Sequence, residues 1–177
     1  GAPWRSGGFK RGAARTHGME VSSRHHLRSD AVRDIADALR EGLSVELDAD
    51  SFELVEIADE DFDVVLVDGE PLVWYPEGEP FVTVQGANEF DPATGVVTVD
   101  AGAISFVSDG ADIMRPGITE ADAGIEDGDL VVIEEENHGK ALAVGRALAD
   151  GDDMVGDSGK VVQNLHHVGD ELYEFTV

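Results

Sequence analysis

The stretch Gly110-Ala-Asp-Ile-Met-Arg-Pro-Gly-Ile118 combines two glycines, small residues and an arginine that is the first basic residue after Arg40. Gly110 lets the chain leave a helix with positive φ, and Ala111 keeps the backbone bare. Pro116 and Gly117 suit the central positions of a type II turn. Exposed backbone amides beside the Arg115 guanidinium can hold a phosphate or a base edge with little net charge. A purely structural turn joining two strands is the other reading, and spacing alone leaves both open.

Other constellations carry less. Asp59, Asp61, Asp63 and Glu70 fall on acidic positions of a calcium-loop template, but the sharp-turn glycine is replaced by Val64 inside a strand-like run. His25-His26 and His166-His167 are adjacent pairs. Neighbours on a strand point to opposite faces, so such a pair does not share one metal; packing for one and exposure for the other is expected. The absence of cysteine excludes a disulfide, a thiol nucleophile and a Cys-ligated zinc. No nucleophile elbow, phosphate-cradling loop or dinucleotide turn is present. With 38 acids every carboxylate spacing occurs by chance and none stands out. The expectation is no catalysis, no cofactor and no metal.

The elements that position these residues follow from periodicity. Ser29 followed by DAVRDIADALRE and Gly42 predicts a helix capped by Ser29 and closed by Gly42, with Val32, Ile35, Ala36 and Leu39 as its apolar stripe. Strands are predicted at 52–57, 63–68 and 72–76, with Asp68-Gly69 as a turn. This first unit ends near Phe90-Asp-Pro-Ala-Thr-Gly95. A second unit starts with a strand at 96–100 and a helical stretch at 101–110 closed by Gly110. Strands follow at 129–134, 141–148, 160–167 and 171–176, which suggests a small barrel-like β fold.

Charge divides the chain unevenly. The 177 residues hold 12 Lys+Arg and 38 Asp+Glu, for a net charge of −26. Residues 1–18 carry Arg5, Lys10, Arg11 and Arg15 and no acid. They read as an upstream extension or cloning remnant before a start at Met19, or else as a basic nucleic-acid-binding arm. The remaining acid is interleaved with core residues, and lysine is scarce. In molar salt the Debye length falls to about 3 Å, so self-repulsion among surface carboxylates costs little. This is the pattern of a halophile's cytoplasmic protein. No apolar run approaches a membrane span. Charge alone would exclude nucleic acid, for want of a basic patch.

The strings GADIMRPGI, GDLVVIEEE (128–136), ALAVGRAL (141–148) and GKVVQNLHHVGDELYEF (159–175) resemble, in order and spacing, a PUA domain. VTVDAGAISFVSDGADIMRPGIT (97–119) and VDGEPLVWYPEGEPFVTV (67–84) are similar to the two-domain, translation-associated PUA proteins related to the malignant-T-cell-amplified-sequence protein and the amino-terminal part of ligatin. The resemblance implies an α+β chain: a small N-terminal α/β domain over 19–94, then a PUA pseudo-β-barrel over 95–177. It also implies a non-catalytic protein of archaeal, salt-adapted type that binds structured RNA, tRNA or rRNA, near the small ribosomal subunit or a translation-factor partner, with no membrane or DNA partner. Carried over residue by residue, its RNA surface would comprise Ser105, Gly110, Ala111, Met114, Arg115, Pro116 and Gly117, with Lys160 and His166 from the last strands. Asp109 and Asp112 flank this loop and depart from an ordinary RNA surface. On this reading Arg115→Glu would weaken RNA binding and leave the melting curve unchanged. An RNA-recognition subunit of a modification enzyme (transglycosylase or pseudouridine synthase type) and a protein-interaction module are the alternatives.

Overall fold

A computed structural model describes residues 19–177 of the chain; the expectations for 1–18, an extension or a basic arm, lie outside the described residues. The first sheet is an antiparallel meander of β1 (Val21–His26), β2 (Phe52–Ile57), β3 (Asp63–Val67), β4 (Glu70–Trp74) and β5 (Phe81–Val82), paired in that order. Asp68 (φ 50°) and Gly69 (φ 87°) both take left-handed backbone, as a two-residue hairpin turn demands. β1 was not foreseen, because nearly all of its residues are solvent-exposed and leave no alternation to read.

Helix α1 (Ser29–Leu43) buries Ile35, Leu39 and Leu43 against this sheet. Its ends differ from expectation. Arg28 occupies the N-cap position without a side-chain cap, and Ser29 lies inside the first turn. Ser44 (φ 55°), not Gly42, closes the helix, its amide donating to Arg40 O and that of Val45 to Leu39 O. Burial decides this: Leu43 is fully enclosed, so the helix must run past Gly42 to deliver it to the core.

A second helix, α2 (Val84–Phe90), was also unforeseen. Thr83 caps it by accepting the Gly86 amide at 3.0 Å. Gly86 lets α2 lie directly on β4, since a Cβ there would fall 1.9 Å from Leu72 O.

The second sheet contains β6 (Val96–Val99), β7 (Ile113–Met114), β8 (Ile118–Ala121), β9 (Leu130–Glu135), β10 (Ala141–Ala147) and β11 (Lys160–His167), with α3 (Ile104–Ser108) between β6 and β7. Its order is β7-β11-β10-β9-β6-β8, with only β6–β9 parallel. The two edge strands, β7 and β8, are consecutive in sequence and joined by the single 3-10 turn Arg115–Gly117. A sheet whose opposite edges are three residues apart must curl on itself, and this gives the expected pseudo-barrel. Val131 and Ile133 of β9 face the barrel interior, while Leu130 and Val132 join the core of the first sheet. Both faces of β9 are therefore covered, which explains its unbroken apolar run.

Residues 171–176 are not a strand. They form a turn that sends Leu172 and Phe175 into the first core, held by the Asp170 carboxylate accepting the Tyr173 amide at 2.8 Å. The two sheets are further tied by Asn88 Oδ1 accepting the Ala141 amide at 2.9 Å, and by Arg146, which reaches Glu77 and Glu79 of the first unit. No helix among the described residues is long and apolar enough to cross a membrane.

One carboxyl at the junction of the sheets is pushed far from its ordinary value. Burial, with Asp91 and Glu135 nearby, pushes Glu134 up to about 7. The folded state then holds a proton the unfolded chain has released, so stability falls as pH rises from the ordinary glutamate value to about 7. Glu134 is only half-buried, which tempers the effect. Glu134→Gln is expected to raise unfolding free energy by about 1 kcal/mol near pH 8 and to change it little near pH 5, read from guanidinium titrations at both.

Candidate functional site

Asp100 starts the site by accepting the Ala103 amide on its Oδ1 at 3.0 Å, which fixes the entry to α3. From α3, Val107 points into the barrel while Ser105 and Phe106 face solvent. Phe106 is 67% exposed, the most exposed large apolar side chain among the described residues. Gly110 (φ 95°) then reverses the chain, and the His167 ring stands against its bare α-carbon: a Cβ would lie 3.0 Å from His167 Nε2.

The loop is braced from β11. Asn164 Nδ2 donates to Val107 O at 3.1 Å and to Ala111 O at 3.0 Å, and its backbone amide donates to Asp112 Oδ1 at 2.9 Å. Lys160 Nζ lies 3.2 Å from the other Asp112 oxygen. The Asn164 amide, helped by Lys160, holds the Asp112 carboxyl below the usual carboxylate range. Asp112 thus fastens the loop to the strand, and this accounts for an acid at that position.

Three expectations need correction. The loop amides are not free for an anion: Gly110 N donates to Val107 O and Ala111 N to Phe106 O, both at 3.0 Å. Pro116-Gly117 is not a type II turn but part of the 3-10 turn; Gly117 keeps its φ outside the left-handed region and serves close packing, with Ala103 Cβ 3.1 Å from where its own Cβ would be. Arg115 is not an unattached cation. Its Nε donates to Asp153 O at 2.8 Å, Nη1 to Ser158 O at 2.9 Å and Nη2 to Asp153 Oδ2 at 3.0 Å, and its amide donates to Gly159 O. The guanidinium therefore clamps the 151–159 connection onto β7.

Of the residues carried over by resemblance, Ser105, Ala111, Met114, Pro116 and Lys160 have surface on the α3, loop, β7 and β11 region, with Gly110 shaping it. His166 does not belong with them. It is 1% exposed and turned towards the first sheet, because β11 alternates faces and His167 takes the loop side. Phe106, Asn164 and His167 were missed. For Phe106 a signal existed: Val107 is the inward residue of a very short helix, so the neighbouring aromatic must face outward, in a chain with only 6% aromatics.

This region displays an aromatic ring on α3 and the exposed Met114 thioether (47%) and Pro116 beyond the loop, with its nearby cations engaged by carboxylates. Chemically it is suited to stacking and apolar contact with a planar group, not to gripping a phosphate.

The PUA domain family matches residues 95–169. An uncharacterized protein of Methanocaldococcus jannaschii is 42% identical over 123 residues, 68% of this chain and 76% of that protein. This chain belongs to the PUA-domain proteins. Translation machinery-associated protein 20 of Saccharomyces cerevisiae is 38% identical over 118 residues, 63% of this chain; the match spans 65% of the yeast protein's length. A solved structure of a hypothetical protein from Pyrococcus horikoshii superposes with a TM-score of 0.79 at 30% identity, covering 88% of this chain and all of that one. Proteins named malignant T-cell-amplified sequence are also relatives, at about 30–32% identity. The pseudo-barrel is thus the PUA domain that the sequence motifs resemble, and the Phe106 face lies within it.

Proposed function

We propose that this PUA protein is a non-catalytic, cytoplasmic RNA-binding factor that recognises structured RNA, tRNA or rRNA, and acts in translation near the small ribosomal subunit. The exposed Phe106 on α3 of the PUA domain, just before the glycine loop, carries this reading. A ring exposed on α3, a few residues before a glycine reversal, is a stacking platform for an unpaired base, and every base offers a π-face. Kinship with translation machinery-associated protein 20 supports translation as the setting. The acidic surface fits a salt-adapted cytoplasm, where counterion release contributes little and stacking has the advantage over phosphate contacts.

Lys160, Arg115 and Arg146 all engage carboxylates, and this favours one second reading, a protein-interaction module without RNA. Sequencing of RNA crosslinked to the tagged protein at native ionic strength separates the two. Enrichment of tRNA or rRNA is expected, and recovery of protein partners with no RNA would favour the module.

A further inference from the structure

We infer that His166 is an acid-sensitive latch between the two sheets, closed only while its imidazole is neutral. On one side its Nε2 accepts the backbone amide of Val84, the first residue of α2, at 3.1 Å. On the other, Nδ1 lies 3.0 and 2.9 Å from the two Asp170 oxygens. A backbone N–H only donates, so Nε2 must present a lone pair. Asp170 also accepts the amides of His167 and Tyr173; burial pushes its carboxyl up, but the His166 ring and these two amides together hold it below the usual carboxylate range. Asp170 is therefore an acceptor and Nδ1 carries the proton.

The lone pair that can take a second proton is thus the one closing the latch. Protonation at Nε2 sets an imidazolium N–H against the Val84 N–H, two donors face to face, and leaves a buried amide without a partner, as Val84 is fully enclosed. A crevice of about 160 Å³ bordered by Met19, Phe62, Trp74 and Leu172 leads to the ring, which packs against Trp74 with ring centroids 5.4 Å apart. The charged groups around it are Asp170 and Glu171 from the C-terminal turn and Glu60 from the β2–β3 turn. β4 contributes Trp74, α2 contributes Val84, and His167 on β11 faces Gly110 instead. Of these groups only the Val84 amide is a donor aimed at Nε2. The latch involves no RNA and stands or falls independently of the proposed function.

The test is hydrogen exchange by NMR on the full chain in molar KCl, from about pH 8 to about pH 5, where histidine ordinarily changes charge. The Val84 protection factor is expected to fall about tenfold, with the midpoint of the His166 ring signals, while the hydrogen-bonded amides of Tyr75 and Val132 keep theirs. His166→Phe keeps a ring against Trp74 without the acceptor and is expected to show low Val84 protection at every pH. Asp170→Asn removes the charged acceptor at Nδ1 and is expected to move the pH at which Val84 protection falls. Val84 protection that stays constant while His166 titrates would overturn the latch. So would a pH-dependent loss that persists in His166→Phe, or, should that variant not fold, an unmoved midpoint in Asp170→Asn.

Discussion

Phe106→Ala is expected to weaken binding of structured RNA by about ten- to a hundredfold, since base–aromatic stacking contributes roughly 1–3 kcal/mol per base. The same substitution should leave the melting transition nearly unmoved. The ring is 67% exposed, so truncating it opens no cavity, and α3 stays anchored through Val107 and the Asp100 cap. Phe106→Tyr keeps the π-face and should bind nearly as the parent does. Fluorescence anisotropy with labelled RNA in molar KCl, alongside thermal melts, reads both halves. A loss of affinity in the Tyr variant equal to that in the Ala variant would count against stacking.

Arg115 is expected to behave in the opposite way. Its guanidinium spans two backbone carbonyls and one carboxylate across the 151–159 connection, and its side chain is only 25% exposed. Arg115→Ala leaves Asp153 O and Ser158 O without their donor and should cost about 2–3 kcal/mol of stability. The ion pair itself adds little, because Asp153 is 73% exposed. Arg115→Lys should recover little of the loss, since one ammonium cannot reach three acceptors in fork geometry. Denaturant titration of both variants checks this. Any weakening of RNA binding by Arg115→Glu should thus come with a lower melting temperature, contrary to the unchanged curve expected from sequence. If Arg115→Ala melts with the parent, the clamp is not what holds the connection.

What the sequence made legible follows from where the physics is local. The strands at 52–57, 63–67 and 160–167 and the reversal at Gly110 rest on side-chain type and backbone preference at the position itself, so they could be read directly. α1 was readable from its stripe but not at its ends, because the burial of Leu43 overrides the preference for Gly42 as terminator. β1 lacks a buried face to betray it, and the 171–176 segment has strand-like alternation that is used to pin a turn to the first core.

The chain reverses at Gly110 as read from the sequence, but the chemistry expected of the loop was misread. Arg115 stood out as a lone positive charge in sequence, but its acceptors lie about 40 residues away, on a connection that only the closed sheet brings near. Of the adjacent pair His166 and His167, the resemblance assigned His166 to the RNA surface. Strand alternation across two different partners separates them into a buried inter-sheet acceptor and a wall behind Gly110. Phe106 was passed over because an apolar residue in a short helix reads first as core.

The central claim, that the α3 and glycine-loop face of this PUA domain binds RNA through stacking, is tested most directly by mapping photocrosslinks. The purified full chain is irradiated with structured RNA in molar KCl, and the RNA-bearing peptides are identified by mass spectrometry. Adducts concentrated within 105–116, led by Phe106 and Met114 and lost in Phe106→Ala, are the predicted result. Adducts confined to the first sheet, or a pattern unchanged by Phe106→Ala, would contradict it.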